Sequence, residues 1–104
     1  MSRATLSQAV FESLAQGRAT VSGVLTVDSV GDILEAGSRA IVASEGLTID
    51  FEGVTAGDSA GLALLIEWLS VARSAGRSLR YEHLPPALEQ LARLSEVEDL
   101  LPTV

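Results

Sequence analysis

One stretch of the chain constrains the fold more than any other, because it joins a strand, a polar turn and a helix with no linker between them. Residues 47–51 (Leu-Thr-Ile-Asp-Phe) alternate apolar and polar side chains, which predicts a β-strand. A loop over residues 53–57 then leads to Asp58 and Ser59, and a strongly apolar helical segment continues as far as Gly76. We expect Ser59 to lie at or next to the helix N-cap, where a side-chain oxygen accepts a backbone N–H.

The rest of the chain predicts a single α/β domain. Its 104 residues suit one domain, with a core over about residues 8–101. Apolar periodicities predict further strands at 9–14, 19–25 and 78–82, and further helices at 28–43 and from Pro86 onward. The order β-β-α-β-α-β-α predicts a mixed sheet of four or five strands, with parallel βαβ crossovers and three main helices.

Signals at the element ends complete this prediction. Gln16-Gly17 reads as a hairpin turn, and Asp28 or Ser29 is expected to cap the 28–43 helix. Gly46 is expected to stop that helix in the C′ position. The apolar face of the last helix is predicted to consist of Leu88, Leu91, Ala92 and Leu94.

Composition excludes several classes of function. The net charge of −7 argues against nucleic acid or an anionic membrane surface as the main partner. The sequence contains no cysteine and no lysine, so it has neither a thiolate zinc site nor a P-loop. No signal peptide and no apolar run of about 20 residues is visible. We expect a cytoplasmic domain that reaches a membrane only through a partner complex.

Two sequence patterns could indicate a catalytic or metal site, but a structural role explains each of them better. Gly57-Asp-Ser-Ala-Gly61 matches the nucleophile elbow G-x-S-x-G, but between Ser59 and the only histidine, His83, no acid except Glu67 or Glu82 is placed to orient that histidine. Asp50 and Glu52 could hold Mg²⁺, but a solvated strand end explains them better. We therefore predict no enzymatic activity, no cofactor and no metal.

The motifs together resemble the STAS domain, the fold of anti-sigma factor antagonists and of sulfate-transporter tails. The resemblance rests on Val21-Ser-Gly-Val-Leu25, on residues 47–51, and above all on Asp58-Ser-Ala-Gly-Leu62 opening an apolar helix. It covers about residues 8–101. In the antagonists the serine after the aspartate is the phosphoacceptor of a partner kinase, so the resemblance implies that role for Ser59.

Within that family the chain is most similar to the MlaB group, the accessory subunits of phospholipid ABC transporters of Gram-negative bacteria. The similarity is carried by Ser59-Ala-Gly-Leu-Ala-Leu-Leu-Ile66, Trp68-Leu69, Ala72-Arg73, Gly76 and Leu100-Leu-Pro102. Members of the group often have Thr where this chain has Ser59. The resemblance implies a non-catalytic subunit bound to the transporter ATPase at the inner membrane. The alternative is an anti-sigma factor antagonist that binds a kinase.

The expected contact site follows from the two resemblances. Its centre is Ser59, presented by the 53–57 loop, and its other residues are Thr55, Gly57, Asp58, Ala60 and Gly61. A phosphate on Ser59 is expected to meet backbone N–H donors of the helix start. The apolar arc of the 59–75 helix is wider than one sheet contact needs, so either a neighbouring helix or a partner must cover the excess. The candidate partner-facing residues are Leu64, Trp68 and Val71.

Overall fold

The computed structural model describes residues 8–103, and the polar segment 1–7 and Val104 lie outside the described part. Its elements, in chain order, are β1 (Ala9–Leu14), β2 (Arg18–Leu25), α1 (Val30–Ala43), β3 (Gly46–Gly57), α2 (Ser59–Ala75), β4 (Ser78–Glu82), α3 (Pro86–Leu94) and a 3₁₀ turn (Glu98–Leu100). The predicted α/β fold with three main helices is confirmed. Among the described helices, none is both long and apolar enough to cross a bilayer.

The four strands form one mixed sheet in the order β1-β2-β3-β4. β1 pairs antiparallel with β2, whereas β2–β3 and β3–β4 are parallel pairs. Both crossovers advance in the same direction across the sheet, so the right-handed rule places α1 and α2 on the same face. Burial agrees, because alternate side chains such as Ile49 and Phe51 are fully buried while Asp50 and Glu52 on the other face are not.

Trp68 joins α1, α2 and β1 at the centre of the helical layer. Its ring lies directly on the backbone of α1, where a Cβ built on Gly37 would stand 2.2 Å from the indole. The indole N–H donates to the Leu34 carbonyl at 3.1 Å. The ring also meets Phe11 edge-on, with centroids 5.8 Å apart. Gly37 therefore sets how closely the two helices approach.

Tyr81 holds β4 to α2 from the buried face of the sheet. Its hydroxyl donates to the Leu65 carbonyl at 2.7 Å, and its ring meets Phe51 edge-on at 5.3 Å. Its backbone N–H donates to the Pro102 carbonyl at 2.9 Å, and Tyr81 forms a parallel bridge with Thr103. The residues after α3 thus begin to extend the sheet beyond β4, in keeping with the predicted range of four to five strands.

The structure corrects three of the sequence predictions. Residues 53–57 are not a loop, because β3 continues through them and pairs with β2 across two register shifts. Gly46 is not a helix stop but the first residue of β3, since α1 already ends at Ala43 and its C-cap Ser44 is extended. Leu94 is 73% exposed and does not belong to the buried face of α3, because it is the helix's last residue.

Neighbouring helices cover most of the wide apolar arc of α2. α1 packs along one side of α2 and α3 along the other. Leu64 and Trp68 are 4% and 0% exposed, so intramolecular contacts already occupy both side chains. Of the predicted partner-facing residues, only Val71 is partly exposed. Of the two expected explanations for the wide apolar arc, coverage by neighbouring helices therefore accounts for most of it.

Candidate functional site

Ser59 is the first residue of α2 and is exposed, directly after the carboxyl end of β3. The N-cap is Asp58, which has an extended backbone and accepts the Ala60 N–H on Oδ1 at 2.9 Å. Asp58 also accepts the N–H groups of Gly61 and Leu62 on its carbonyl oxygen. The helix start is therefore capped without the Ser59 hydroxyl, which remains open to a partner.

The same bonds narrow the set of donors that a phosphate on Ser59 could meet in the first turn. The N–H groups of Ala60, Gly61 and Leu62 are all engaged by Asp58. A phosphate on Ser59 would also stand next to the negatively charged Asp58. The domain would tolerate it because Ser59 is exposed, and the added charge would act mainly on whatever binds there.

Gly57 and Gly61 allow the start of α2 to lie close against β2 and α3. A Cβ on Gly61 would stand 3.0 Å from Cβ of Leu25 and 3.2 Å from Leu88 Cδ2, and one on Gly57 would meet the same leucine of α3 at 3.2 Å. The Asp58 N–H donates to the Leu25 carbonyl at 3.1 Å. These two glycines, predicted as site residues, fix where Ser59 is presented.

Ser29 holds the neighbouring β2–α1 turn, a role that the sequence reasoning missed. It stands at the N-cap position of α1, as predicted, but its side chain caps nothing. It is fully buried, donates to the Val24 carbonyl at 2.5 Å and accepts the Thr26 N–H at 3.0 Å. A serine followed by a helix resembles a cap in sequence, and only its hydrogen bonds to Val24 and Thr26 show that the hydroxyl points back into the turn.

An open apolar cleft lies between the first turns of α1 and α2, beside Ser59. Its volume is about 280 Å³. Its walls come from both helices and are formed by Val30, Gly31, Leu34, Ala60, Ala63, Leu64 and Glu67. A Cβ on Gly31 would meet nothing within 4 Å, and Leu34 remains 37% exposed. Ala60 thus belongs both to the predicted site and to an unfilled apolar surface.

Thr55 lies apart from the capping contacts. It is exposed on β3, and its hydroxyl donates to the Gly23 carbonyl over 3.4 Å. The structure brings Gly57, Asp58, Ser59, Ala60 and Gly61 together at the β3–α2 junction, where each is held by backbone or capping contacts. Thr55 is placed upstream of that junction.

His83 belongs to a separate polar cluster on the sheet. Its Nδ1 lies 2.9 Å from Asp50 Oδ1, and this contact raises the pKa of His83 above the ordinary value of 6.5. Burial raises the pKa of Asp50, but the hydrogen bonds from His83 and from the Glu52 N–H outweigh it, so that pKa lies below 3.8. The single histidine is therefore paired with Asp50 and not with the Ser59 hydroxyl.

The acids of this cluster are engaged within the fold. Ligand atoms of Asp50, Glu82 and His83 lie within 4.8 Å of one another, whereas Glu52 is not part of the group. Glu82, however, forms an ion pair with Arg18 across the sheet. A guanidinium and an imidazole already balance the two carboxylates, so the arrangement is that of cross-strand ion pairs.

Comparison with known structures identifies the same fold in anti-sigma factor antagonists. SpoIIAA in its unphosphorylated form matches with a TM-score of 0.69 at 17% identity, over 92% of this chain and 87% of that one. An anti-sigma factor antagonist from Mycobacterium paratuberculosis matches with a TM-score of 0.69 at 20% identity, over 91% and 82%. A putative antagonist from Thermotoga maritima matches with a TM-score of 0.70 at 10% identity, over 90% and 83%.

Sequence comparison supplies the family. A search of curated protein sequences finds no significant match. The family described as "Mlab, STAS domain" matches residues 9–102, which is nearly the whole described chain. The match includes β1 through α3 and the full β3–α2 junction. The chain therefore belongs to the Mlab-type STAS domain family.

Proposed function

We propose that this chain is a non-catalytic regulatory subunit that binds the ATPase of a phospholipid ABC transporter. The observation that carries the proposal is the exposed Ser59 at the start of α2, beside an open apolar cleft, in a chain of the Mlab-type family. A hydroxyl that the helix does not need for its own cap is free to meet a partner surface. The resemblance to MlaB proteins names that partner as an ATPase.

The surroundings of Ser59 suit a protein partner better than a substrate. The side chain stands on a rigid helix end, fixed by the Asp58 cap and by the close packing of Gly57 and Gly61. No general base contacts Ser59 within the described residues, and the only histidine is paired with Asp50. A nucleophile without a positioned base is inert, so the chain acts by binding.

The test is binding to the ATPase subunit of a phospholipid ABC transporter from the same organism, with paired substitutions on α2. Ser59→Arg places a large charged side chain at the proposed contact and should weaken binding by at least about tenfold. Ser74→Arg, exposed near the far end of the same helix, is the matched control and should bind normally. Both variants should unfold at the wild-type temperature, because neither side chain is buried.

Two results would contradict this function. One is a wild-type chain that does not bind the ATPase at micromolar concentration. The other is a Ser59→Arg variant that stays folded and binds as tightly as the wild type, which would leave Ser59 as part of the helix start and nothing more.

A second function is favoured by one observation, the exposure of the Ser59 hydroxyl at the position that resembles the phosphoacceptor of the antagonists. One matching structure is that of SpoIIAA in its phosphorylated form, with a TM-score of 0.67 at 17% identity. In this alternative a kinase partner binds the same surface and phosphorylates Ser59. Phosphate transfer by an anti-sigma factor kinase from the same organism to the wild type but not to Ser59→Ala would select this alternative over the transporter function.

A further inference from the structure

The cleft beside Ser59 is lined by apolar groups, yet its surroundings are acidic. Glu67 forms part of its wall, and Asp58 caps α2 two residues before Ala60, which also lines the cleft. Among residues 8–103, Asp58 and Glu67 take part in no ion pair, whereas Glu35 on α1 is paired with Arg39. These two carboxylates are therefore not balanced by a basic side chain of the described residues.

The basic residues of the described chain lie elsewhere. None of the six arginines in residues 8–103 falls in the first two turns of α1 or α2. Arg73 and Arg93 are in the last turns of their helices, and Arg18 begins β2. Within the described residues, the first two turns of α1 and α2, at the end that carries Ser59, therefore hold acidic side chains and no arginine.

From these observations we propose that the α1–α2 cleft receives an apolar side chain of the partner protein, flanked by arginine or lysine that pairs with Glu67 and its acidic neighbours. The inference rests on the proposed function and names the chemistry of the partner surface. Complementary charge around an apolar anchor gives orientation and a fast association rate, while the buried anchor supplies most of the affinity.

The size and the charge of the cleft narrow the choice of occupant. A volume of about 280 Å³ lies just below the range of roughly 300–1,000 Å³ typical of pockets for small-molecule ligands. An anionic lipid headgroup would be repelled by the same carboxylates, and so would a second copy of this chain, which carries a net charge of −7. A protein segment with an apolar side chain between basic residues matches both the apolar wall of the cleft and the carboxylates beside it.

Gly31 offers a way to fill the cleft without disturbing the fold. It is exposed, lies in the first turn of α1, and a Cβ there would meet open space. Gly31→Leu should therefore keep the domain folded, since leucine favours a helix over glycine, while its side chain occupies the space left for the partner. Glu67→Gln removes the charge and keeps the shape. Glu45→Gln, exposed and outside the cleft, is the matched control for charge.

The first experiment uses small probes and needs no partner. N-pentylguanidinium and hexanoate are titrated into ¹⁵N-labelled wild type, Gly31→Leu and Glu67→Gln. The cation should shift the amide signals of Gly31, Ala60, Ala63 and Glu67 more than hexanoate does, and Gly31→Leu should abolish these shifts. Equal shifts with both probes, or none with the cation, would overturn the proposal.

The second experiment measures binding of the same variants to the ATPase subunit at several salt concentrations. Gly31→Leu should weaken binding by at least about tenfold. Glu67→Gln should weaken it about two- to tenfold with a shallower salt dependence, whereas Glu45→Gln should leave binding unchanged.

If wild type binds and Ser59→Arg does not, but Gly31→Leu binds normally, this inference fails and the proposed function stands. If wild type does not bind the ATPase, the proposed function fails, and the probe titration still decides the cation preference of the cleft.

Discussion

At Ser59 the structure separates the helix cap from the exposed hydroxyl, although both residues lie in one short motif. Asp58 supplies the cap through its side chain and its carbonyl, and Ser59 supplies an exposed hydroxyl. The residue that we propose as the partner contact is therefore not the residue that caps the helix. A substitution at one should not reproduce the effect of a substitution at the other.

Paired alanine substitutions should show that separation. Asp58→Ala should lower the free energy of unfolding by about 1 kcal/mol, the usual cost of losing an N-cap. Ser59→Ala should change it by less than about 0.5 kcal/mol, because the hydroxyl makes no bond that the helix start requires. Urea unfolding of both variants measures the difference, with Asp58→Asn as the control that keeps a capping oxygen. Equal losses at both positions would mean that Ser59 is itself a cap.

His83 and Asp50 should make stability depend on pH in a definite direction. The raised pKa of His83 means that its contribution is complete below the ordinary value of 6.5 and is lost as pH rises through the folded value. The lowered pKa of Asp50 means that its contribution is present above 3.8 and is lost as pH falls through the folded value. The pair therefore stabilises the fold most between about pH 4 and 6.5.

An NMR titration of the His83 ring tests this pair. In the wild type the midpoint should lie above 6.5, and Asp50→Asn should bring it back toward that value because the carboxylate is removed. Glu52→Gln is the control, since Glu52 acts on His83 only at longer range. A midpoint that does not respond to Asp50→Asn would show that the two side chains do not interact in solution.

Among the helices, the contact between α1 and α2 depends on the absence of a side chain at one position. Trp68 occupies the space that a Cβ on Gly37 would need, whereas the space beside Gly31 on the same helix is open. The two glycines therefore have opposite consequences, although both weaken a helix in isolation. One permits close packing, and the other lines the cleft.

Alanine at these two glycines should change stability with opposite signs. Gly37→Ala should destabilise the fold by about 1–3 kcal/mol, because the added methyl overlaps the indole and the helices must separate. Gly31→Ala should stabilise it by up to about 1 kcal/mol through helix propensity alone. Thermal and urea unfolding measure both, and Trp68 fluorescence should shift only in Gly37→Ala. A stabilising Gly37→Ala would show that the helix pair is loosely packed.

The sequence predicted those elements whose signals are local and missed those that depend on pairing. The N-cap region of α2, Gly76 in the left-handed conformation and Pro86 at the start of α3 follow local rules, and all three are found. Residues 53–57 appeared to be a loop because they contain two glycines, but they form strand through their pairing with β2. Pairing between distant segments leaves little trace in local composition.

Burial at the site was the hardest feature to predict. In the sequence, the spacing of Leu64 and Trp68 is compatible with an apolar face of α2 that a partner covers. Only the position of α1 in the structure shows that both side chains are already buried within the domain. The cleft beside Ser59 was not predicted at all, since it depends on the angle between two helices. The predicted residues from Gly57 to Gly61 are contiguous in sequence, so their proximity required no tertiary information.

At the scale of the whole molecule, the topology explains why the proposed contact residues gather at one end. Both parallel crossovers run in the same direction, so the helices share one face of the sheet and their first turns gather beside the carboxyl ends of β2 and β3. That end holds Ser59, the cleft, and the carboxylates of Asp58 and Glu67, which form no ion pair within residues 8–103. Matching structures at 10–20% identity retain this fold, which depends on apolar pattern and crossover handedness more than on particular side chains.

The charge of the whole chain should make the fold more stable as salt is added. A net charge of −7 on a body of 40 × 31 × 20 Å is self-repelling. The Debye length falls from about 30 Å at 0.01 M salt to about 8 Å at 0.15 M, so salt screens this repulsion across the molecule. Salt also weakens the four ion pairs of residues 8–103, but pairs at the surface contribute only about 0–1 kcal/mol each.

Relief of the net repulsion should outweigh that loss, so the urea midpoint should rise when NaCl is increased from 0.01 to about 0.15 M. Glu12 and Glu45 are both exposed and form no ion pair within the described chain. A variant with Glu12→Gln and Glu45→Gln should therefore have a higher urea midpoint at low salt, and that midpoint should rise less when NaCl is added. Glu82→Gln is the opposing control. It also removes a negative charge, but it breaks the ion pair with Arg18, so its urea midpoint should rise less. A midpoint that falls with salt would mean that the specific ion pairs dominate over net charge, and the acidic end around Ser59 would then contribute little field to attract a basic partner.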